Sequence, residues 1–170
     1  MVAIYNMPFL YRLHPKHTLS ITQLRQALQL IVTKHESLRT SLIFSSKKNM
    51  LMQKAISLVD NSNSVFEVIE DIFKTDEQLN TIMYNEKSNN QLFNLAQGLV
   101  FRCHIVYYEN IPSNDIICDK DAIIFNFHHA LFDYPSMNVF LQDLHHAYST
   151  GQLSIDDDDT RLRYLDCNYE

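Results

Sequence analysis

Glycine is nearly missing from this 170-residue chain: Gly98 and Gly151 are the only two. Phosphate-cradling loops and dinucleotide-binding turns need several glycines close together, where the backbone bends sharply or approaches a ligand. A G-x-S-x-G nucleophile elbow needs two, four apart. None of these can be built here, so nucleotide-loop enzymes and ordinary α/β-hydrolases are excluded. Cysteine is scarce and odd in number, at Cys103, Cys118 and Cys167, with no C-x-x-C spacing. That pattern suggests neither a disulfide framework nor a zinc site, and it fits a reducing, cytoplasmic compartment. No apolar run approaches the roughly 18 residues of a membrane span. The N-terminus, Met1-Val-Ala-Ile-Tyr-Asn-Met-Pro, lacks the basic start and sustained apolar stretch of a signal peptide. Positive charge is also short: 14 Lys and Arg stand against 20 Asp and Glu, and they are scattered. Neither nucleic acid nor a membrane is therefore an expected partner. Lys47-Lys48, beside Asn49, reads as a polar turn.

What remains is 46% hydrophobic and 20% charged, the composition of one folded domain with a real core. Residues 4–13 alternate loosely and carry aromatics, which predicts a strand. Pro8 places that strand at a sheet edge or a bulge. Ile21, Leu24, Leu28, Ile31 and His35 recur at helical spacing, joined by Ala27 and Val32, and predict a helix over 20–37. Residues 38–44 and 50–58 read as a hairpin across the polar Ser45-Ser-Lys-Lys-Asn49, and 65–69 as a short strand. Thr75-Asp-Glu-Gln78 has capping-box form and opens a helix carrying Leu79, Ile82 and Met83, which ends near Lys87 before Ser88-Asn-Asn90.

Residues 99–108 predict a strand and 110–120 a loop. Residues 121–127 are apolar except for Asn126, which fits a strand buried on both faces. A last helix over 136–149 carries the stripe Met137, Phe140, Leu141, Leu144, Ala147 and Tyr148. Beyond Gly151, the like charges Asp156-Asp-Asp-Asp159 belong in solvent, as a linker or exposed loop. Strands and helices alternate irregularly, so the expected fold class is α/β, a mixed sheet flanked by helices.

The chemistry concentrates in His128-His129-Ala130-Leu131-Phe132-Asp133-Tyr134-Pro135-Ser136-Met137. Histidine titrates near neutrality and can take or hold a proton at working pH. Neighbours on a strand point to opposite faces, so one histidine is expected to be buried and the other to face a cleft. The pair is then a poor bidentate metal site. Ser136 is a candidate cap for the helix that follows, with Pro135 suited to its approach. His145 and His146 diverge around the last helix by roughly 100° and read as a solvated or half-packed pair. His35 reads as a satisfied buried histidine near a helix C-terminus. A buried aspartate is costly without a partner, so Arg39 is the preferred partner of Asp133. Cys103-His104 also point apart on a strand, which argues against a thiol nucleophile with its base.

These segments together resemble the N-terminal lobe of condensation domains from nonribosomal peptide synthetases, within the chloramphenicol acetyltransferase-like acyltransferases. The family motif H-H-x-x-x-D-G is matched by His128, His129 and Asp133, with Ser136 and Met137 following in register. Lys34-His35-Glu36-Ser37-Leu38-Arg39-Thr40 is similar to R-H-E-x-L-R-T. Phe93-Asn-Leu95 followed by Gly98 looks like F-D-L-x-x-G-P, and Leu162-Arg-Tyr-Leu-Asp166 looks like the stretch that ends the lobe. Order and spacing agree across nearly the whole chain. Within the first two motifs, Tyr134 replaces the motif glycine, and Lys34 replaces the first arginine.

The resemblance implies one lobe of a two-lobed fold, with residues 1–155 as the lobe and 156–170 as an acidic linker and end-of-lobe segment. It implies that His129 is the catalytic residue, facing a tunnel between lobes, and that His128, Asp133 and Arg39 support the site. The implied reaction is attack by an amine or alcohol on an acyl thioester, forming an amide or ester. The thioester would be carried on the phosphopantetheine arm of a partner acyl or peptidyl carrier protein. No cofactor or metal is implied in the lobe itself. The tunnel's other wall would come from a second lobe, in trans or as another copy, because the chain stops where the first lobe stops. An alternative of another class is a catalytically inactive remnant or protein-interaction module of the same fold. A histidine-rich metal protein is a third, which the divergent histidine pairs disfavour.

Overall fold

The computed structural model describes residues 5–57 and 65–154. Along the chain run β1 (Asn6–Tyr11), β2 (Leu19–Ser20), α1 (Ile21–Lys34), β3 (Thr40–Ser45), β4 (Met50–Ala55), β5 (Glu67–Phe73), α2 (Asp76–Ser88), β6 (Phe101–Tyr108), β7 (Ile116–Ile117), β8 (Ala122–His128) and α3 (Ser136–Thr150). Short 3-10 turns occupy Glu36–Arg39 and Leu95–Gln97.

The near-continuous apolar strands do what such strands must, and become the middle of a sheet covered on both faces. The main sheet has the order β1-β8-β6-β5, with β1, β8 and β6 antiparallel and β5 parallel to β6. The two-residue period of β6 and β8 divides their side chains between two layers. Phe101, Cys103, Ile105, Tyr107, Ile123, Phe125 and Phe127 join Leu24, Leu28 and Ile31 of α1 and Met137 and Phe140 of α3 in the larger core. Val106, Ala122 and Ile124 turn the other way, to Phe73 and to Leu79 of α2. The fold is the expected α/β arrangement of a mixed sheet between helices.

Local signals hold at most element ends. Pro8 lies on β1, at the sheet edge. Ser20 caps α1 by accepting from the Gln23 amide, and Thr75 caps α2 by accepting from Gln78. The Gln78 side chain accepts from the Lys74 amide rather than from Thr75, so the reciprocal half of the capping box is displaced by one residue. Two findings differ from expectation. The hairpin β3–β4 stands as its own two-stranded sheet, and the 110–120 loop contains β7, which pairs with β2 just ahead of α1. The acidic run and the 156–170 segment lie outside the described residues.

Candidate active site

Strand β8 runs out at His128, and residues 129–135 turn irregularly into α3. The two histidines differ in burial as expected, although the strand stops at the first of them and His129 already belongs to the turn. His128 is half-buried among the rings of Tyr5 and Phe93, with centroids 6.0 and 5.8 Å away. Its Nδ1 accepts the Ala130 amide at 3.2 Å. Burial, and secondarily the neighbouring His129, push its pKa below the ordinary histidine value, which favours the neutral ring.

His129 is exposed, and its backbone N–H bonds the Tyr5 carbonyl at 2.8 Å. Its ring is held through Nδ1, 3.0 Å from the Phe132 carbonyl. A carbonyl only accepts, so Nδ1 must carry the proton. In the neutral ring Nε2 then presents a lone pair, the form a general base needs.

Asp133 and Arg39 do not pair, contrary to the expectation from sequence. Asp133 is exposed, so it has no need of a buried counter-charge. Its carboxylate accepts the Ser136 amide at 3.0 Å and the Ser136 hydroxyl. Those hydrogen bonds hold its pKa below the usual aspartate value. The roles at the start of α3 are therefore reversed: Ser136 donates, and Asp133 satisfies an orphan N–H of the first turn.

Arg39 is spent on the C-terminus of α1. Its Nε donates to Val32 O at 3.1 Å and its guanidinium also reaches Thr33 O at 3.4 Å and Ile56 O at 2.7 Å, with Glu36 at 3.7 Å. The Val32 and Thr33 carbonyls lie in the last turn of α1, where they lack helical partners and carry the negative end of the helix dipole, a natural seat for a cation. Arg39 thus supports the lobe by joining α1 to the end of β4.

The two motif segments are instead joined by a residue that sequence reasoning passed over. Asp143 of α3 accepts from Lys34 Nζ at 3.0 Å and from His35 Nε2 at 2.6 Å. His35 is half-buried and satisfied, as expected, while His145 and His146 are exposed. Beneath the site lies a second missed cluster. Glu86 of α2 is 4% exposed, and its carboxylate takes His104 Nδ1 at 2.9 Å and Asn126 Nδ2 at 2.7 Å, with Arg102 at 3.7 Å. Two signals were present: Glu86 sits seven residues after Leu79 on one helical face, and Asn126 interrupts an apolar strand. Cys103 points away from His104 into the larger core, where burial pushes its thiol up to about 12, far from a nucleophile's range.

A cavity of about 130 Å³ lies between the 3-10 turn and α3, lined by His35, Ser37, Leu38, Phe132, Ser136 and Val139 among others. A more open groove of about 520 Å³ follows the β1 edge, past Met83, Tyr84 and Lys87, to Tyr134. His129 borders neither of these two. Tyr134 is 74% exposed with its ring 6.1 Å from Phe9, and its φ is not positive. The backbone there does not demand glycine. Among the described residues no three His, Cys, Asp or Glu side chains gather as a metal site, and no helix is long and apolar enough to cross a membrane.

A mixed sheet with helices on both faces, shared with solved condensation-type domains, is the chloramphenicol acetyltransferase-like fold. The condensation-domain family model matches residues 2–166, and the chain belongs to that family. Surfactin synthase subunit 1 of Bacillus subtilis (strain 168) is 30% identical over 162 residues, covering 95% of this chain and 4% of that protein. N-(5-amino-5-carboxypentanoyl)-L-cysteinyl-D-valine synthase of Penicillium chrysogenum is 30% identical over 129 residues, covering 76% of this chain and 3% of the relative. Among solved structures, the epimerization domain from the third module of tyrocidine synthetase B superposes with a TM-score of 0.64 at 18% identity, over 86% of this chain and 30% of that one. The starter condensation domain of rhizomide synthetase gives 0.57 at 17% identity, over 86% and 32%. The chain thus spans about a third of these structures and a few per cent of the synthetases, consistent with an N-terminal lobe.

Proposed function

We propose that this chain supplies the histidine-bearing lobe of a condensation-type acyltransferase. The observation that carries the reading is His129 itself: Nδ1 is tied to the Phe132 carbonyl, and the ring stands exposed with Nε2 unprotonated in its neutral form. In the proposed reaction an amine or alcohol attacks the carbonyl carbon of an acyl thioester. His129 Nε2 accepts the nucleophile's proton as the new C–N or C–O bond forms. The C–S bond then breaks, and the departing thiolate takes the proton back. His128, kept neutral by burial, fixes the strand end without competing for that proton.

The thioester would arrive on the phosphopantetheine arm of a carrier protein, which makes that protein the expected partner. The exposure of His129 is suited to a second wall, from another lobe or another copy, that excludes water and orients two substrates. Asp133 and Arg39 serve as supports, the first by starting α3 and the second by ending α1. The test is His129→Ala in the two-lobed protein, measured as amide formation from a carrier-bound thioester. A loss on the order of 10²–10⁴-fold is expected for a general base. Unchanged transfer refutes the assignment. One observation favours a non-catalytic reading, namely the bulky exposed Tyr134 beside the motif where the family has glycine. If Tyr134→Gly created transfer activity where the parent protein has none, that second reading would stand.

A further inference from the structure

We propose that Phe132 is a positioning residue for His129: its ring, locked into an aromatic stack, fixes the carbonyl that decides which imidazole nitrogen carries the proton. The inference rests on the reading of His129 as the base and goes further, because it names what sets that base's tautomer.

A histidine side chain free in water prefers its proton on Nε2, which would leave no lone pair where the proposed chemistry needs one. Holding the proton on Nδ1 requires an acceptor in a fixed place. The acceptor here is a backbone carbonyl in the irregular 129–135 segment, where no helix or strand ladder fixes its direction. What fixes it is the side chain of the same residue. The Phe132 ring is 8% exposed and lies flat on Phe127, with centroids 3.8 Å apart and planes 7° from parallel. Phe140 of α3 stands edge-on to both rings, 5.1 Å from Phe127 and 6.4 Å from Phe132. Phe127 is fully buried in β8, between Met7 of β1 and Phe101 of β6 in the ladder. The carbonyl that holds His129 is therefore referenced, through one ring, to the centre of the sheet and to α3. The residue occupies a position that the H-H-x-x-x-D pattern leaves open.

The test reads the proton position directly. The chain is labelled with ¹⁵N-histidine, and long-range ¹H–¹⁵N spectra are recorded above the imidazole titration for the parent, Phe132→Ala, Phe132→Leu and Phe132→Tyr. The expected result is Nδ1–H for His129 in the parent and in Phe132→Tyr, which keeps the ring and borders a cavity with room for a hydroxyl. Phe132→Leu, which keeps apolar bulk without the stack, should shift His129 to a mixed or Nε2–H population. Phe132→Ala should shift it at least as far, and if that variant does not fold, Phe132→Leu alone decides. A folded Phe132→Leu with His129 still wholly Nδ1–H overturns the proposal. A purely structural role would lower stability without moving the tautomer. Because the readout is not turnover, failure of the His129→Ala transfer experiment would remove the base assignment and leave this result to stand or fall separately.

Discussion

Removing the charge of Glu86 is the most informative single perturbation of this fold. The side chain is 4% exposed on the sheet-facing side of α2, and its two oxygens take donors from β6 and β8 at 2.9 and 2.7 Å. Its backbone carbonyl also accepts from Asn6 and Asn126, both at 2.9 Å, so the last turn of α2 is fastened to three elements at one residue. Burial pushes the carboxyl upward, but hydrogen bonds from His104 and Asn126 and the charges of Arg102 and His104 outweigh it and hold the pKa below 4.5. Glu86→Gln keeps the shape and one acceptor oxygen. It turns the other oxygen into a donor that faces donors, and it leaves Arg102 without its counter-charge. Losing one side of a buried pair costs about 3–5 kcal/mol, and the isosteric change belongs near the lower end. That is a large share of the ~5–15 kcal/mol a domain of this kind has in total.

The assay is urea unfolding followed by far-UV circular dichroism at a series of pH values, parent against variant. The sign follows from the lowered folded pKa. The carboxylate's contribution is present above the unfolded value of 4.5 and is lost as pH falls through the folded value. The Glu86→Gln deficit should therefore be full at pH 7 and shrink steadily below pH 4.5. A deficit under about 1 kcal/mol at pH 7 would refute the reasoning, because that is no more than one ordinary hydrogen bond. A deficit indifferent to acid would show that shape, not charge, was lost.

Substitutions at three further positions test the rest of the frame. Gly98 has φ +74°, and a Cβ there would lie 2.8 Å from Ile56 Cγ1 and 3.3 Å from Arg39 O, so Gly98→Ala should cost about 2–3 kcal/mol by urea unfolding. Gly151, at φ +69° with nothing within 4 Å of the added methyl, should cost only the backbone part, about 1 kcal/mol. Asp143→Ala should cost about 1–3 kcal/mol, since it strands Lys34 and His35 partly buried without their acceptor. The Asp143→Ala loss should persist in molar salt, where an exposed pair would fade, because Asp143 is only 15% exposed.

What the sequence made legible was whatever a short window determines. The helical stripe from Ile21 to Val32, the Thr75 cap, the edge proline and the doubly buried β8 all follow from local period or local turn chemistry, and they formed as expected. The unequal burial of His128 and His129 was anticipated from a strand period, but the strand ends at His128 and the turn that begins at His129 is what leaves the second ring exposed. The pairing of β2 with β7 was not, because two residues against two, almost a hundred positions apart, leave no pattern in either segment. The Phe132 stack was equally hidden, since its partners come from β8 and α3 and only the fold brings the rings together.

The misplaced Arg39–Asp133 pair shows where charge reasoning from sequence goes astray. It assumed that Asp133 is buried, and so in need of a cation. Each residue in fact meets its need within a few positions: Asp133 takes the amide three residues on, and Arg39 takes carbonyls six and seven residues back. A helix N-terminus can satisfy an anion and a helix C-terminus a cation, with no salt bridge between them. The two motifs still have to be held in register if His129 is to face a substrate, and that task passes to Asp143, whose carboxylate reaches across to Lys34 and His35. It follows that replacing the family's arginine by Lys34 leaves this link intact. A single ammonium is enough for one carboxylate oxygen when a histidine already occupies the other.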